Sequence, residues 1–270
     1  MGKLKVGIIG CGTIGSELAI ACQTILKDRV DLIGICDAEE KKTAALQKAL
    51  KNSVSALDLE NLIDRSDLLV EAASAKVSAD ILAGAIEKKR DIMIMSIGGL
   101  LGKEELLKKA DDAGVKVYLP SGALCGIDGL KSASIGRIDS VSLTTRKPLK
   151  GLEGATYLKE KKIKLEDVKK ETVIFEGTAV EAIKGFPKNV NVCAALSLAG
   201  IGSDKTRVKI VTSPDYTKNI HEVEIRGEFG CISTRTENVP SRSNPKTSQL
   251  AVFSAIATLK GIVKNVKVGT

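Results

Sequence analysis

Apolar and polar positions change rhythm at Pro120. Before it, residues 5–9 rise into an apolar run with the look of a buried strand, residues 14–26 repeat apolar side chains at helical spacing, and residues 30–36 are apolar again. A strand–helix–strand unit is the expected result. The same alternation predicts helices over 38–50, 57–63, 77–89 and 103–113, with strands over 67–71, 91–95 and 115–119. Short strands that each lead into an amphipathic helix predict an α/β fold, a Rossmann-type doubly wound parallel sheet with helices on both faces.

Beyond Pro120, SGALCGIDGLKSA gathers small residues and opens a helix where the chain is expected to pass to a second domain. A Ser- and Thr-rich strand pattern covers 140–147, the charged run 159–170 reads as surface, and 173–175 is apolar before the helix-like GTAVEAI. A helix of small residues is expected after Pro187. Residues 207–212, 220–226 and 229–236 read as three strands joined by short turns, expected to form an antiparallel meander. The chain closes on NPKTSQLAVFSAIATLKGIV, a loop and then a strongly apolar helix. These readings give a dinucleotide-binding domain at 1–122, a catalytic α+β domain with a largely antiparallel sheet at 123–240, and a C-terminal helix at 241–270 packing back on the first domain.

The turn after the first strand carries chemistry. Gly10, Gly12 and Gly15 stand at GxGxxG spacing: the first for a sharp turn, the second for close approach of a pyrophosphate, the third for close packing of helix on sheet. The amides of Gly12, Thr13, Ile14 and Gly15 are expected to face the phosphates. Asp37 ends the second apolar run, where a carboxylate accepts the ribose hydroxyls of NAD and repels a 2′-phosphate; its plain alternative is a turn or helix cap. Lys41 and Lys42 follow closely and leave NADP possible. Ala72, Ala73 and Ser74 end the third strand with the small side chains that a coenzyme passing overhead requires, as would a tight turn.

Composition narrows the partners. A formal charge of +8 raises nucleic acid, yet Lys and Arg interleave with Asp and Glu in DAEEKK and KEKKIKLEDVKK, as on a solvated helical face. Aromatic residues make up only 3 %, so stacking surfaces are scarce and anionic small molecules are the expected ligands. No apolar run nears the roughly 20 residues of a bilayer span and no signal peptide is evident, which predicts a cytoplasmic protein without membrane contact. Cys11, Cys22, Cys36, Cys125, Cys193 and Cys231 form no CxxC pair and read as buried free thiols in a reducing compartment, with no metal site.

His221 is the only histidine, the one side chain outside Lys and Tyr whose ordinary pKa suits proton transfer near neutrality. As a plain strand residue it would need no such role. Asn189 and Asn191 precede an apolar helix, as a cap or as ligands for a carboxamide or carbonyl. Ser241, Arg242, Ser243, Asn244, Lys246 and Thr247 form a polar group opening the last helix, suited to a substrate carboxylate or to a solvated loop, with Arg242, Lys246 and Thr247 the chosen candidates. Arg146 and Lys147 are weaker candidates of the same kind.

Together, PSGALCGIDGLKSA, FPKNVNVCAALSLAGIG, the single His221 ahead of a strand and NPKTSQLAVFSAIATL resemble the L-aspartate dehydrogenase family over essentially the whole chain. The resemblance implies oxidation of L-aspartate with NAD or NADP to iminoaspartate. That product hydrolyses to oxaloacetate and ammonia, or feeds NAD biosynthesis through hand-off to quinolinate synthase. It also implies a homodimer, His221 as the active-site histidine, and Ala123 and Asn191 as coenzyme contacts. The rival enzymes are homoserine dehydrogenase and dihydrodipicolinate reductase, the latter weakened because its paired-histidine loop is missing. Outside enzymes, the alternative is an NAD-sensing protein without catalysis.

Overall fold

A computed structural model describes residues 2–187, 191–241, 244 and 247–270. Asn189, Arg242 and Lys246 therefore lie outside the described residues. The chain forms two compact units, Met1–Pro120 with Val252–Lys267, and Ser121–Ala251 with Val268–Thr270.

The first unit runs β1 (Leu4–Ile9), α1 (Thr13–Gln23), β2 (Val30–Cys36), α2 (Glu40–Ala49), α3 (Leu59–Arg65), β3 (Leu68–Glu71), α4 (Ser78–Glu87), β4 (Asp91–Ile94), α5 (Glu104–Asp112) and β5 (Val117–Tyr118). All its strands are parallel, in the order β2-β1-β3-β4-β5. Val6, Ile8, Ile35, Leu68, Val70 and Met93 are buried in one cluster, and Leu62, Leu69, Leu82, Ile92 and Ile94 in another. Two separate clusters follow from strands covered by helices on both faces, which read as apolar runs rather than as an alternation.

The second unit contains α6 (Ile127–Ala133), β6 (Ile138–Pro148), α7 (Thr156–Glu160), β7 (Thr172–Thr178), α8 (Ala179–Gly185), α9 (Asn191–Ala199), β8 (Arg207–Ser213), β9 (Asn219–Gly227) and β10 (Gly230–Asn238). The last helix, α10 (Gln249–Ile262), belongs to the first unit from Val252 onward, and its Ala255 and Leu259 are buried in the same cluster as Leu18 and Val30.

The sheet of the second unit has the order β10-β9-β6-β8-β7. This corrects the expected meander of three neighbouring strands. β9 and β10 do form an antiparallel hairpin, but β6 lies between β8 and β9, antiparallel to β9 and parallel to β8. β6 is the longest strand, 11 residues, with Val141, Leu143, Thr145 and Lys147 alternating onto the buried face, so it can pair along both edges and take the centre.

On that covered face, Tyr157, Phe175 and Phe186 pack with ring centroids 5.3–5.7 Å apart, and Val141, Leu143, Val223 and Ile225 meet Cys193 and Leu196 of α9. Thr178 and Glu181 close a reciprocal capping box at the start of α8, which holds that helix against β7. The opposite face is polar. There Arg146 pairs with Glu222 and lies 3.7 Å from Glu171, while Arg235 pairs with Glu222 and with Glu237 at 3.0 Å.

Among the described residues no helix is long and apolar enough to cross a membrane, and no cluster of three or more His, Cys, Asp or Glu could hold a metal ion. Cys11, Cys22 and Cys193 are buried, but Cys125 and Cys231 are exposed, correcting the expectation that all six thiols are internal. Cys231 falls on the outward side of β10 near the hairpin tip, opposite Arg226, where an isolated apolar neighbourhood in sequence says nothing about which side faces in.

Candidate active site

In the first unit, β1 is followed by Gly10 at φ +99°, a left-handed conformation. A Cβ there would sit 2.5 Å from the Ala72 backbone, and a Cβ on Gly15 would sit 1.8 Å from the Gly10 carbonyl oxygen. These approaches bring the start of α1 against the end of β1 and β3. Gly12 is different. A Cβ on it would meet nothing within 4 Å, and no side chain caps the helix it begins. An open surface over Gly12, beside the first amides of α1 at Thr13 and Ile14, suits a pyrophosphate.

Asp37, just past the end of β2, accepts from the Cys11 amide at 2.7 Å and from the Glu39 amide at 2.9 Å. These bonds hold its carboxylate beside the glycine turn, and an ionised carboxylate has further acceptor capacity for ribose hydroxyls. The residues therefore fit a dinucleotide. Cys11 lies beneath the same turn, its thiol pushed up to about 11 chiefly by burial, which keeps it un-ionised and inert.

A residue that sequence reasoning missed organises the next strand end. Glu71 is fully buried; its Oε1 accepts from the Ala73 amide at 2.8 Å and its Oε2 from the Ser96 amide at 3.0 Å. Burial raises its pKa, opposed by these amide bonds. Glu71 thus fixes the Ala72, Ala73 and Ser74 turn and ties β3 to β4. An acid closing an apolar run was the available signal.

In the second unit, register builds the site. His221 on β9 pairs with Thr145 on β6 and with Thr236 on β10. All three face the covered side, and His221 Nδ1 lies 3.1 Å from the Thr145 hydroxyl. The Thr236 hydroxyl donates to the carbonyl of Ala123 at 3.1 Å, and lies 3.4 Å from the carbonyl of His221. Ala123 and His221, nearly a hundred positions apart in sequence, are thereby joined through one side chain.

Asn238, also missed from sequence, is buried; it donates to the Ala123 carbonyl at 3.2 Å and accepts from Ser248 at 2.8 Å. It links the Ala123 loop to the segment ahead of α10, where the Thr247 carbonyl accepts from the Ser241 amide at 2.7 Å. Asn191 is exposed at the start of α9, beside Val192 and Cys193, which line a narrow cavity with Thr145 and Lys147.

Arg146 and Lys147 part company here. Successive strand residues point to opposite faces, so Arg146 joins the outer ion-pair ladder while Lys147 is buried on the His221 face. Burial pushes Lys147 down to about 8. Burial first, and then the charge of Lys147, push His221 down to about 3. His221 is neutral near pH 7.

A stability test follows from that shift. The unfolded chain takes up the histidine proton near 6.5 and the folded chain only near 3, so stability falls as the pH drops between these values, by about 1.4 kcal/mol per unit. Urea unfolding at pH 6.5 and pH 5 should therefore show the native protein losing about 2 kcal/mol more than His221→Gln over this interval. Equal losses would show that His221 takes up its proton in the folded chain at the same pH as in the unfolded one.

The parallel sheet, the glycine turn and the acid after β2 define the class: this is a dinucleotide-binding protein of Rossmann type. The NAD-binding domain model of homoserine dehydrogenase matches residues 10–120, and the C-terminal aspartate dehydrogenase model matches 128–262. The chain is 46 % identical over 273 aligned residues to L-aspartate dehydrogenase of Methanosarcina barkeri, covering 99 % of this chain and all of the relative. It is 39 % identical to L-aspartate dehydrogenase of Nitrosopumilus maritimus, with 98 % and 99 % covered. The crystal structure of aspartate dehydrogenase from Thermotoga maritima superposes with a TM-score of 0.79 at 27 % identity, over 99 % of this chain and all of that one. This chain belongs to the L-aspartate dehydrogenase family.

Proposed function

We propose that this protein oxidises L-aspartate to iminoaspartate with NAD, NADP being a disfavoured alternative, and that it works as a cytoplasmic homodimer. The observation that carries this reading is end-to-end identity of 46 % with a named L-aspartate dehydrogenase, joined to a single, neutral, buried histidine. Gly12, Thr13, Ile14 and Gly15 would hold the pyrophosphate and Asp37 the ribose, with Gly10 shaping the turn and Ala72, Ala73 and Ser74 bordering the coenzyme. Ala123 and Asn191 would position the nicotinamide end. The coenzyme, when bound, supplies the hydride acceptor.

The remaining steps belong to the chain. The Cα–H bond of aspartate breaks with its electron pair as the nitrogen lone pair forms the C=N bond. His221 takes the proton, from the amine or from the water that attacks the imine, and returns it to solvent or to departing ammonia. The Thr145 hydroxyl against Nδ1 holds the imidazole orientation and tautomer. Arg242, Lys246 and Thr247 are candidates for a substrate carboxylate. Released iminoaspartate hydrolyses to oxaloacetate and ammonia, or passes to quinolinate synthase.

The test is the initial rate of NADH formation with L-aspartate, L-homoserine and a panel of other amino and hydroxy acids. Turnover is expected with L-aspartate and not with L-homoserine. Tight NAD binding without turnover of any of them would overturn the reading in favour of a nucleotide sensor.

A further inference from the structure

The strand order β2-β1-β3-β4-β5 puts the chain's change of direction at β1, with β2 on one side of it and β3, β4 and β5 on the other. Ligands of such sheets bind outside the carboxyl ends of the strands at this point. Glu71 closes β3 there, paired with Ile9 at the end of β1 and with Ile94 at the end of β4. The turn that follows it abuts the glycine turn, since a Cβ on Gly10 would lie 2.5 Å from the Ala72 backbone.

The surroundings of Glu71 are those of an anion. Its two oxygens meet the amides of Ala73 and Ser96, groups that donate and cannot accept. A carboxylate satisfies both, whereas a carboxamide would set its NH2 against one of them. Neighbouring bonds hold the arrangement still: the Ser78 hydroxyl donates to the Ser96 carbonyl at 3.1 Å, and the Met95 amide donates to the Glu71 carbonyl at 2.8 Å. The side chain is fully buried, and among the described residues no cation pairs with it. Its negative charge is met by amide dipoles alone.

Asp37 gives the coenzyme a direction. It marks the adenosine ribose at the end of β2, and the open surface over Gly12 marks the pyrophosphate. The other half of the dinucleotide then runs away from β2, toward the ends of β3 and β4 where Glu71 lies. The two redox forms of the coenzyme differ in charge at that half alone: the nicotinamide ring is a cation when oxidised and neutral when reduced.

We propose that the buried Glu71 carboxylate makes this site selective for the oxidised coenzyme, favouring the cationic nicotinamide over the neutral dihydronicotinamide. The proposal rests on the reading of the chain as an NAD-dependent enzyme. It gives the cycle a direction of loading, in which the site fills with NAD+ and lets NADH go, as oxidation of an amino acid requires. A fixed charge acts strongly here because little water lies around it to screen it.

The test is the set of dissociation constants for NAD+, NADH and ADP-ribose, which keeps the adenosine half and the pyrophosphate but lacks the ring. They are measured on native protein, Glu71→Gln and Glu71→Asp. Native protein should bind NAD+ at least as tightly as NADH. In Glu71→Gln the ratio of the NAD+ to the NADH dissociation constant should rise about tenfold, while ADP-ribose affinity changes by less than about threefold. Glu71→Asp keeps the charge on a shorter side chain and should keep the native ratio, even where the turn is loosened. A merely structural role moves all three ligands together, and moves them in both variants.

An unchanged ratio in Glu71→Gln, a ratio in Glu71→Asp that follows the Gln variant, or native protein that binds NADH about tenfold or more tightly than NAD+ would each overturn the proposal. The native comparison needs no variant to fold. Native protein that binds neither form overturns the NAD reading itself, whereas binding of both forms with an unmoved ratio sinks the role of Glu71 alone.

Discussion

His221→Ala is expected to lower the rate of NADH formation from L-aspartate by about 100-fold or more while leaving the dissociation constant of NAD nearly unchanged. The size follows from what the side chain offers. Proton transfer by a positioned group contributes about 100- to 10,000-fold. No other described group on this face offers a buried nitrogen that is both neutral and basic: Lys147 carries the charge, Cys193 holds its proton, and the Asn238 nitrogen is that of an amide. A purely structural role predicts something else. His221 is one polar residue at the end of a row of apolar ones, so its loss would leave a small cavity and a freed Thr145 hydroxyl, and His221→Asn, which refills part of that space, would recover much of the rate. Under the catalytic role Asn recovers little, because an amide does not accept a proton near neutrality. Rates and NAD binding for both variants decide the matter, and a variant within a few-fold of native would remove His221 from the chemistry.

Much of the first unit was legible because each strand is covered on both sides. Runs such as VGII and LLVE can be little else, and the ends found differ from those expected by a residue or two. β5 shrank more, to Val117 and Tyr118, since only those residues pair with β4. In the second unit periodicity told which side of each strand faces inward, as at Val223 and Ile225, but not which strand is its neighbour. The placement of β6 between β8 and β9 joins residues more than sixty positions apart, and local pattern carries no trace of it.

The same gap hid part of the site. Arg146 and Lys147 are equal as letters in a sequence; pairing sends one to the outer ladder and the other to His221. Glu71 and Asn238 act largely through backbone groups, the Ala73 and Ser96 amides and the Ala123 carbonyl, and such partners leave no side-chain signature.

Gly12→Ala and Gly15→Ala differ by three positions and should fail in opposite ways. At Gly15 a Cβ would lie 1.8 Å from the Gly10 carbonyl oxygen, a backbone atom that cannot swing aside. Relief requires moving α1 away from the end of β1, and with it the packing of Leu18 and Cys22 in the core. A loss of about 3–4 kcal/mol or more of unfolding free energy is expected, since overpacking against backbone is among the few mechanisms of that size. At Gly12 the added methyl meets nothing, and φ −75° with ψ −167° is open to any L-residue. Stability should change by about 1 kcal/mol or less, the difference between Gly and Ala as an N-cap. The methyl would instead stand where the pyrophosphate approaches the α1 amides, and NAD affinity should fall by about 100-fold, as when several charge-assisted hydrogen bonds are lengthened together. Urea unfolding and NAD titration on the two variants separate the cases. If Gly12→Ala binds NAD like the native protein, the phosphates do not lie over this turn. If Gly15→Ala is as stable as native, the close approach of α1 to β1 is not a feature of the folded chain.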